Sequence, residues 1–136
     1  MSRENVEVVR RGYAALGSGD LNATFALFDP EVEIETATDA PSVDFEKLYR
    51  GPEGFLKFLE QLSQAWDEFH WEPEEYIDAG DDVVVVFIRM TARGRGSGIE
   101  VEQPMAHVCT IGDGKLVRLV TFWERAAALE AVGLRE

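Results

Sequence analysis

Between Val83 and Met90 the chain reads Val-Val-Val-Val-Phe-Ile-Arg-Met, apolar at both parities, and this stretch sets the tightest limit on what the chain can fold into. A strand points successive side chains to opposite faces. Val84, Val86, Ile88 and Met90 therefore share one face, while Val83, Val85 and Phe87 share the other. Neither face can be left fully in water, so this strand needs a covering layer on each side. Val83 to Ile88 is also the longest apolar run in the sequence and is far too short to span a bilayer.

Period-two patterning extends on both sides of this run, beginning near Phe69. Gly80-Asp81-Asp82 and Gly112-Asp113-Gly114-Lys115 are turn signals between the apolar runs. Four strands are predicted, from about Phe69 to Ala79, Val83 to Arg93, Ile99 to Ile111, and Leu116 to Glu124. The N-terminal half keeps a helical period instead. Val6, Val9, Tyr13 and Leu16 follow Ser2, a suitable N-cap, and the pattern stops at Gly17-Ser18-Gly19-Asp20. Asp20 can cap a second helix carrying Leu21, Phe25, Leu27 and Phe28, closed by Asp29-Pro30. Val32, Ile34 and Thr36 alternate with Glu33 and Glu35 as a short strand, and residues 37–50 read as a loop. Gly51-Pro52 starts a third helix with Phe55, Leu56, Phe58, Leu59, Leu62 and Trp66 as a broad apolar stripe. A last helix is expected from Ala126 to Val132, ahead of Gly133.

Three helices followed by an antiparallel meander define an α+β fold whose helices cover one face of a bent sheet. Because those helices reach only one face, a homodimer is predicted through the other. That outer face is read as Val85, Phe87, Met105, His107, Cys109, Val120 and Phe122.

The chain of 136 residues is the size of one domain, and 1–136 is read as a single unit. With Lys+Arg 13 against Asp+Glu 26, a net charge of −13 repels phosphate backbones and anionic membranes, so neither is an expected partner. The single Cys109 permits no intrachain disulfide, which fits a cytoplasmic setting. His70 and His107 offer no zinc-type spacing, and no metal or cofactor is expected. No signal peptide is visible at the N-terminus. Arg93-Gly94-Arg95-Gly96-Ser97-Gly98 reads as a flexible hairpin connection, since two arginines in so short a segment do not make an RNA-binding tract.

Several segments, in this order and spacing, resemble the nuclear transport factor 2-like superfamily and within it the small bacterial SnoaL-like proteins. They are Val8-Val9-Arg10-Arg11-Gly12-Tyr13-Ala14-Ala15-Leu16, Gly19-Asp20-Leu21, Ala26-Leu27-Phe28-Asp29-Pro30, Tyr49-Arg50-Gly51 and Gly112-Asp113-Gly114-Lys115-Leu116-Val117. The resemblance implies a cone: a strongly bent antiparallel or mixed sheet wrapped around three N-terminal helices, usually dimeric, with a pocket at the open end. Such a fold argues for a cavity and not for a particular reaction. Compared with ketosteroid isomerase, the catalytic tyrosine falls at Gly12, the base at Thr36 and the oxyanion acid at Ala106, while a wall aromatic persists at Trp123. Compared with limonene epoxide hydrolase, Thr121 occupies the place of the essential carboxylate. Both sets of catalytic residues are absent.

The same comparison implies a cavity lined by Val32, Ile34, Thr36, Val84, Val86, Ile88, Met90, Ala106, Val108, Thr110, Leu119, Thr121 and Trp123, with Phe58 and Leu62 from the third helix. Tyr13, Thr36, Tyr49 or Thr121 would orient a greasy ligand held by shape. The expected role is binding of a small hydrophobic molecule. The alternative is an isomerase, cyclase or hydratase that uses Asp44, His107, Tyr13 or Tyr49. Parity places His107 on the dimer side, Glu33, Glu35, Glu100 and Glu102 on wet strand faces, and Asp39 and Asp44 in the loop that rims the mouth. A purely structural dimer, its cone filled by its own side chains, is the third reading.

Overall fold

The computed structural model describes residues 2–36 and 48–134. The helical hairpin of the sequence reading is present as α1 (Ser2–Gly17) and α2 (Leu21–Ala26). Asp20 caps α2, its carboxylate accepting from the Ala23 N–H at 3.0 Å. The second helix is shorter than its apolar spacing predicts. Phe28 instead opens β1 (Phe28–Glu35), which absorbs Pro30 where its pairing register shifts, between Phe28 and Glu33. A three-residue strand, β2 (Leu48–Arg50), stands where a loop is predicted. At Gly51 (φ +69°) a Cβ would lie 3.2 Å from the Pro30 carbonyl oxygen, so only glycine turns the chain here into α3 (Gly51–Ala65).

The meander follows as β3 (Trp66–Gly80), β4 (Val83–Gly94), β5 (Glu100–Gly112) and β6 (Lys115–Phe122), and α4 (Arg125–Ala131) closes the fold. The single six-stranded sheet has the order β2-β1-β6-β5-β4-β3. It is mixed: β1 runs parallel to β6, and the other pairs are antiparallel. No helix among the described residues is long and apolar enough to cross a membrane.

Residues directly opposite in a ladder share a face, so the register decides which side chains meet the helices. Val84 pairs with Cys109 and Cys109 with Leu119; Val86 pairs with His107 and His107 with Thr121. All six belong to the inner face, under α1 and α3. On the outer face Val85 pairs with Val108 and Val108 with Val120, and Phe87 pairs with Ala106 and Ala106 with Phe122. This corrects the β5 parity of the sequence analysis, where the apolar outer face and the family comparison both had it reversed. Met105, His107 and Cys109 are interior, whereas Ala106, Val108 and Thr110 point outward. A slip of one residue exchanges every side chain between faces, and one slip on one strand accounts for all of these reversals.

In β3 the pairing runs Trp71 with Met90 and Pro73 with Ile88, then slips, so that Tyr76 pairs with Val86. The bulge between Pro73 and Glu75 lets Trp71 and Tyr76, of opposite parity, both face inward. Glu74, left inside the bulge, accepts from Arg89 at 2.9 Å and from Arg125 at 2.6 Å. Those hydrogen bonds hold its carboxyl below the usual range.

The second apolar face is also partly covered within one chain, contrary to the expectation that the helices reach only the first. Ala128 and Leu129 of α4 pack on Val85 and Ala106, with Phe87, Val108 and Phe122 around them. Arg125 fixes this helix to the sheet. It donates to the Met105 carbonyl at 3.1 Å and to the Ile88 carbonyl at 2.8 Å, and its guanidinium lies 4.9 Å from the centre of the Phe87 ring.

Candidate functional site

A cavity of about 50 Å³ lies between the inner sheet face and the helices. α1 contributes Val8, Val9, Gly12, Tyr13 and Leu16; Thr24 and Leu27 come from α2 and its end, and Phe55 from α3. The sheet supplies Phe28, Ile34, Trp71, Cys109, Ile111, Leu116 and Leu119. No Asp, Glu, Lys or Arg is among these residues. Thr24 is a quiet member, because its hydroxyl already donates to the Asp20 carbonyl at 2.9 Å. Gly12 helps create the space: a Cβ placed there would meet nothing within 4 Å.

The chemistry concentrates where α1 crosses β3 and β5. The Tyr13 hydroxyl lies 2.5 Å from His107 Nδ1 with the two rings nearly parallel, and Trp71 meets the imidazole edge to face, centroids 4.5 Å apart. His107 is wholly buried, directly behind the wall formed by Tyr13, Trp71 and Cys109. Desolvation pushes its pKa down from 6.5 to about 3, so the imidazole is neutral at physiological pH. Burial raises the Tyr13 hydroxyl well above its ordinary value and lifts the Cys109 thiol to about 12, so both keep their protons. Two buried side-chain nitrogens, His107 Nε2 and Trp71 Nε1, have no hydrogen-bond partner among the described residues.

Among the residues expected from the sequence, Tyr13, Ile34 and Leu119 line this cavity. Phe58, Leu62, Val86, Ile88 and Met90 are buried in the same core, and Thr121 lies beside His107 on the inner face. Trp123 packs partly buried against that core, and Thr36 is half-buried at the end of β1. Ala106 and Val108 face away from it, toward α4. Tyr49 is buried against Phe58, ring centres 5.3 Å apart, and its hydroxyl donates to the Gln61 side-chain oxygen. Asp39 and Asp44 lie outside the described residues. The sequence reading did not single out Trp71 as part of a site, met Gly12 only as the place of a relative's catalytic tyrosine, and put His107 on the wrong face.

A profile of the SnoaL-like domain matches residues 9–119. No curated protein sequence matches the chain significantly. Solved structures match over almost the full length. TerC, co-crystallised with polyporic acid, is 22% identical with a TM-score of 0.79, covering 95% of this chain and 98% of that one. An NTF2-like protein from Burkholderia thailandensis is 25% identical with a TM-score of 0.77, covering 93% and 95%. A SnoaL-like polyketide cyclase homologue from Jannaschia is 21% identical with a TM-score of 0.74, covering 99% and 95%.

Proposed function

The chain belongs to the SnoaL-like family, and from that premise we propose that it binds a small, uncharged, largely apolar molecule in the cavity beneath α1. The lining carries this reading. Its polar side-chain atoms are confined to Tyr13, Thr24, Trp71 and Cys109, so a charged ligand would lose its hydration without a compensating partner. A volume of about 50 Å³ is well below the ~300–1,000 Å³ typical of sites for drug-sized molecules, so the occupant is small. The fold neighbour TerC, co-crystallised with polyporic acid, supports the idea that such a cone can accommodate an organic molecule.

Gly12→Leu tests the proposal, because the new side chain enters open space on the cavity wall. Uncharged compounds of two to four heavy atoms at millimolar concentration are expected to raise the Tm of the wild type and not that of the variant. The variant itself should be no less stable, since replacing a glycine inside a helix gains roughly 0.5–1 kcal/mol. A wild type indifferent to every such compound would sink the reading.

A second reading, proton-transfer catalysis of the isomerase or cyclase sort, draws on the contact between Tyr13 and His107. It ranks lower because an imidazole with a pKa of about 3 is a poor base near neutrality. The proposed assembly is a homodimer through the outer-face strip beside α4, where Val120 is half-buried between Val108 and Glu35. Light scattering is expected to show a dimer for the wild type and a folded monomer for Val120→Arg. A wild type that is monomeric at tens of micromolar removes the dimer.

A further inference from the structure

Two hollows meet beside α1. The apolar cavity and an open cleft of about 470 Å³ share two wall residues, Val8 and Ile111. Along α1 the lining passes from Gly12 and Tyr13 in the cavity, through Val8, to Glu4, Asn5 and Glu7 in the cleft. Along β5 and the turn after it, the lining passes from Cys109 through Ile111 to Asp113. Val8 is 6% exposed and Ile111 3%, so these two apolar residues form the partition between water and the cavity on this side.

Asp82 ties the two sides of that partition together. Its carbonyl accepts from the Ile111 N–H at 2.9 Å, and its carboxylate accepts from the Asn5 side-chain amide at 2.9 Å. The first bond joins backbone to backbone. The second is an exposed side-chain pair, for which water competes on equal terms. The Arg10 guanidinium, 4.7 Å from the centre of the Tyr76 ring, is another solvent-exposed tie of the same segment. Past it the helix is held from within, where Tyr13 meets His107. Gly12, just before Tyr13, is the point of the helix interior that resists bending least.

We propose that the first turns of α1 are the gate of the cavity: Asn5 parts from Asp82, Val8 moves away from Ile111 with Gly12 as the hinge, and a small uncharged ligand passes in from the cleft. The gate rests on the cavity-binding reading and supplies its route of entry. Glu4, Glu7, Asp82 and Asp113 outnumber Arg11 around the cleft, so anions are turned away before they reach the partition.

Cys109, the single cysteine, lines the cavity and is 1% exposed, so a thiol reagent reaches it only through an opening. Labelling with methyl methanethiosulfonate, followed by mass spectrometry, is expected to proceed faster than global unfolding permits and to depend weakly on urea, as a local opening does. Asn5→Ala should accelerate it about two- to tenfold, the range that one net hydrogen bond supports. Asp20→Ala, which uncaps α2 at the other end of the cavity, should change labelling no more than its loss of global stability requires. Labelling with the full urea dependence of global unfolding would overturn the gate, as would acceleration by Asp20→Ala and not by Asn5→Ala. With cyclopropane as the ligand, NMR relaxation dispersion should show faster entry and exit in Asn5→Ala at an unchanged Kd. Binding with unchanged rates would overturn the gate and leave the cavity-binding reading standing. Cyclopropane that binds neither protein would overturn that reading, and Cys109 labelling would still decide the gate.

Discussion

Lowering the pH from 7 to 4.5 is expected to destabilise the folded chain by roughly 2–3 kcal/mol through His107 alone. The unfolded imidazole takes up a proton near pH 6.5, whereas the buried one resists until about pH 3. Between those values the unfolded state binds more protons than the native state, so stability falls as the pH falls, by about 1.4 kcal/mol per unit at the steepest. The contribution is intact above pH 6.5 and is lost progressively down to pH 3. Urea titrations across this range measure it directly. His107→Gln should flatten the slope between pH 6.5 and 4.5 whatever its own stability. An unchanged slope in that variant would mean the imidazole is not desolvated as described.

Phe55→Ala is expected to lower stability by about 3–5 kcal/mol, the usual range for removing a buried phenylalanine. Phe55 is 3% exposed and meets Phe28 edge to face with ring centres 5.2 Å apart, with Phe25 and Phe58 slightly further away. Because it also forms part of the cavity wall, its removal enlarges an existing space. Benzene should then restore a measurable part of the lost Tm in the variant and do much less for the wild type. Thermal melts with and without benzene check both statements.

The element order was legible because the hydrophobic period changes once, from helical to alternating, and glycine-rich turns punctuate the second half. The positions of His107 and Ala106 were misread by grouping Met105 and Cys109 with the outer apolar face, as the family comparison also implied, over the strand's own charges. Glu100 and Glu102 are exposed, and they share parity with Ala106 and Val108. Those two carboxylates alone would have turned His107 inward. The contact of Trp71 with His107 was not legible in the same way. It depends on the bulge beside Glu74 and on the β4–β5 register, both settled by long-range pairing and not by local pattern. The covering of the outer face by α4 was missed because a short helix rich in alanine carries little periodic signal, and its anchor is a single arginine.

The parallel pairing of β1 with β6 also shapes how the protein is born. β1 precedes β2 and finds it early, but its other edge waits for β6, the last of the six strands to leave the ribosome. At about 5–20 residues per second, an apolar strand containing Val32 and Ile34 spends seconds with one edge open before its partner is synthesised. Closing so long a loop is slow compared with zipping a hairpin. The vulnerable species during synthesis is therefore the N-terminal fragment, where chaperone binding or edge-to-edge association would begin.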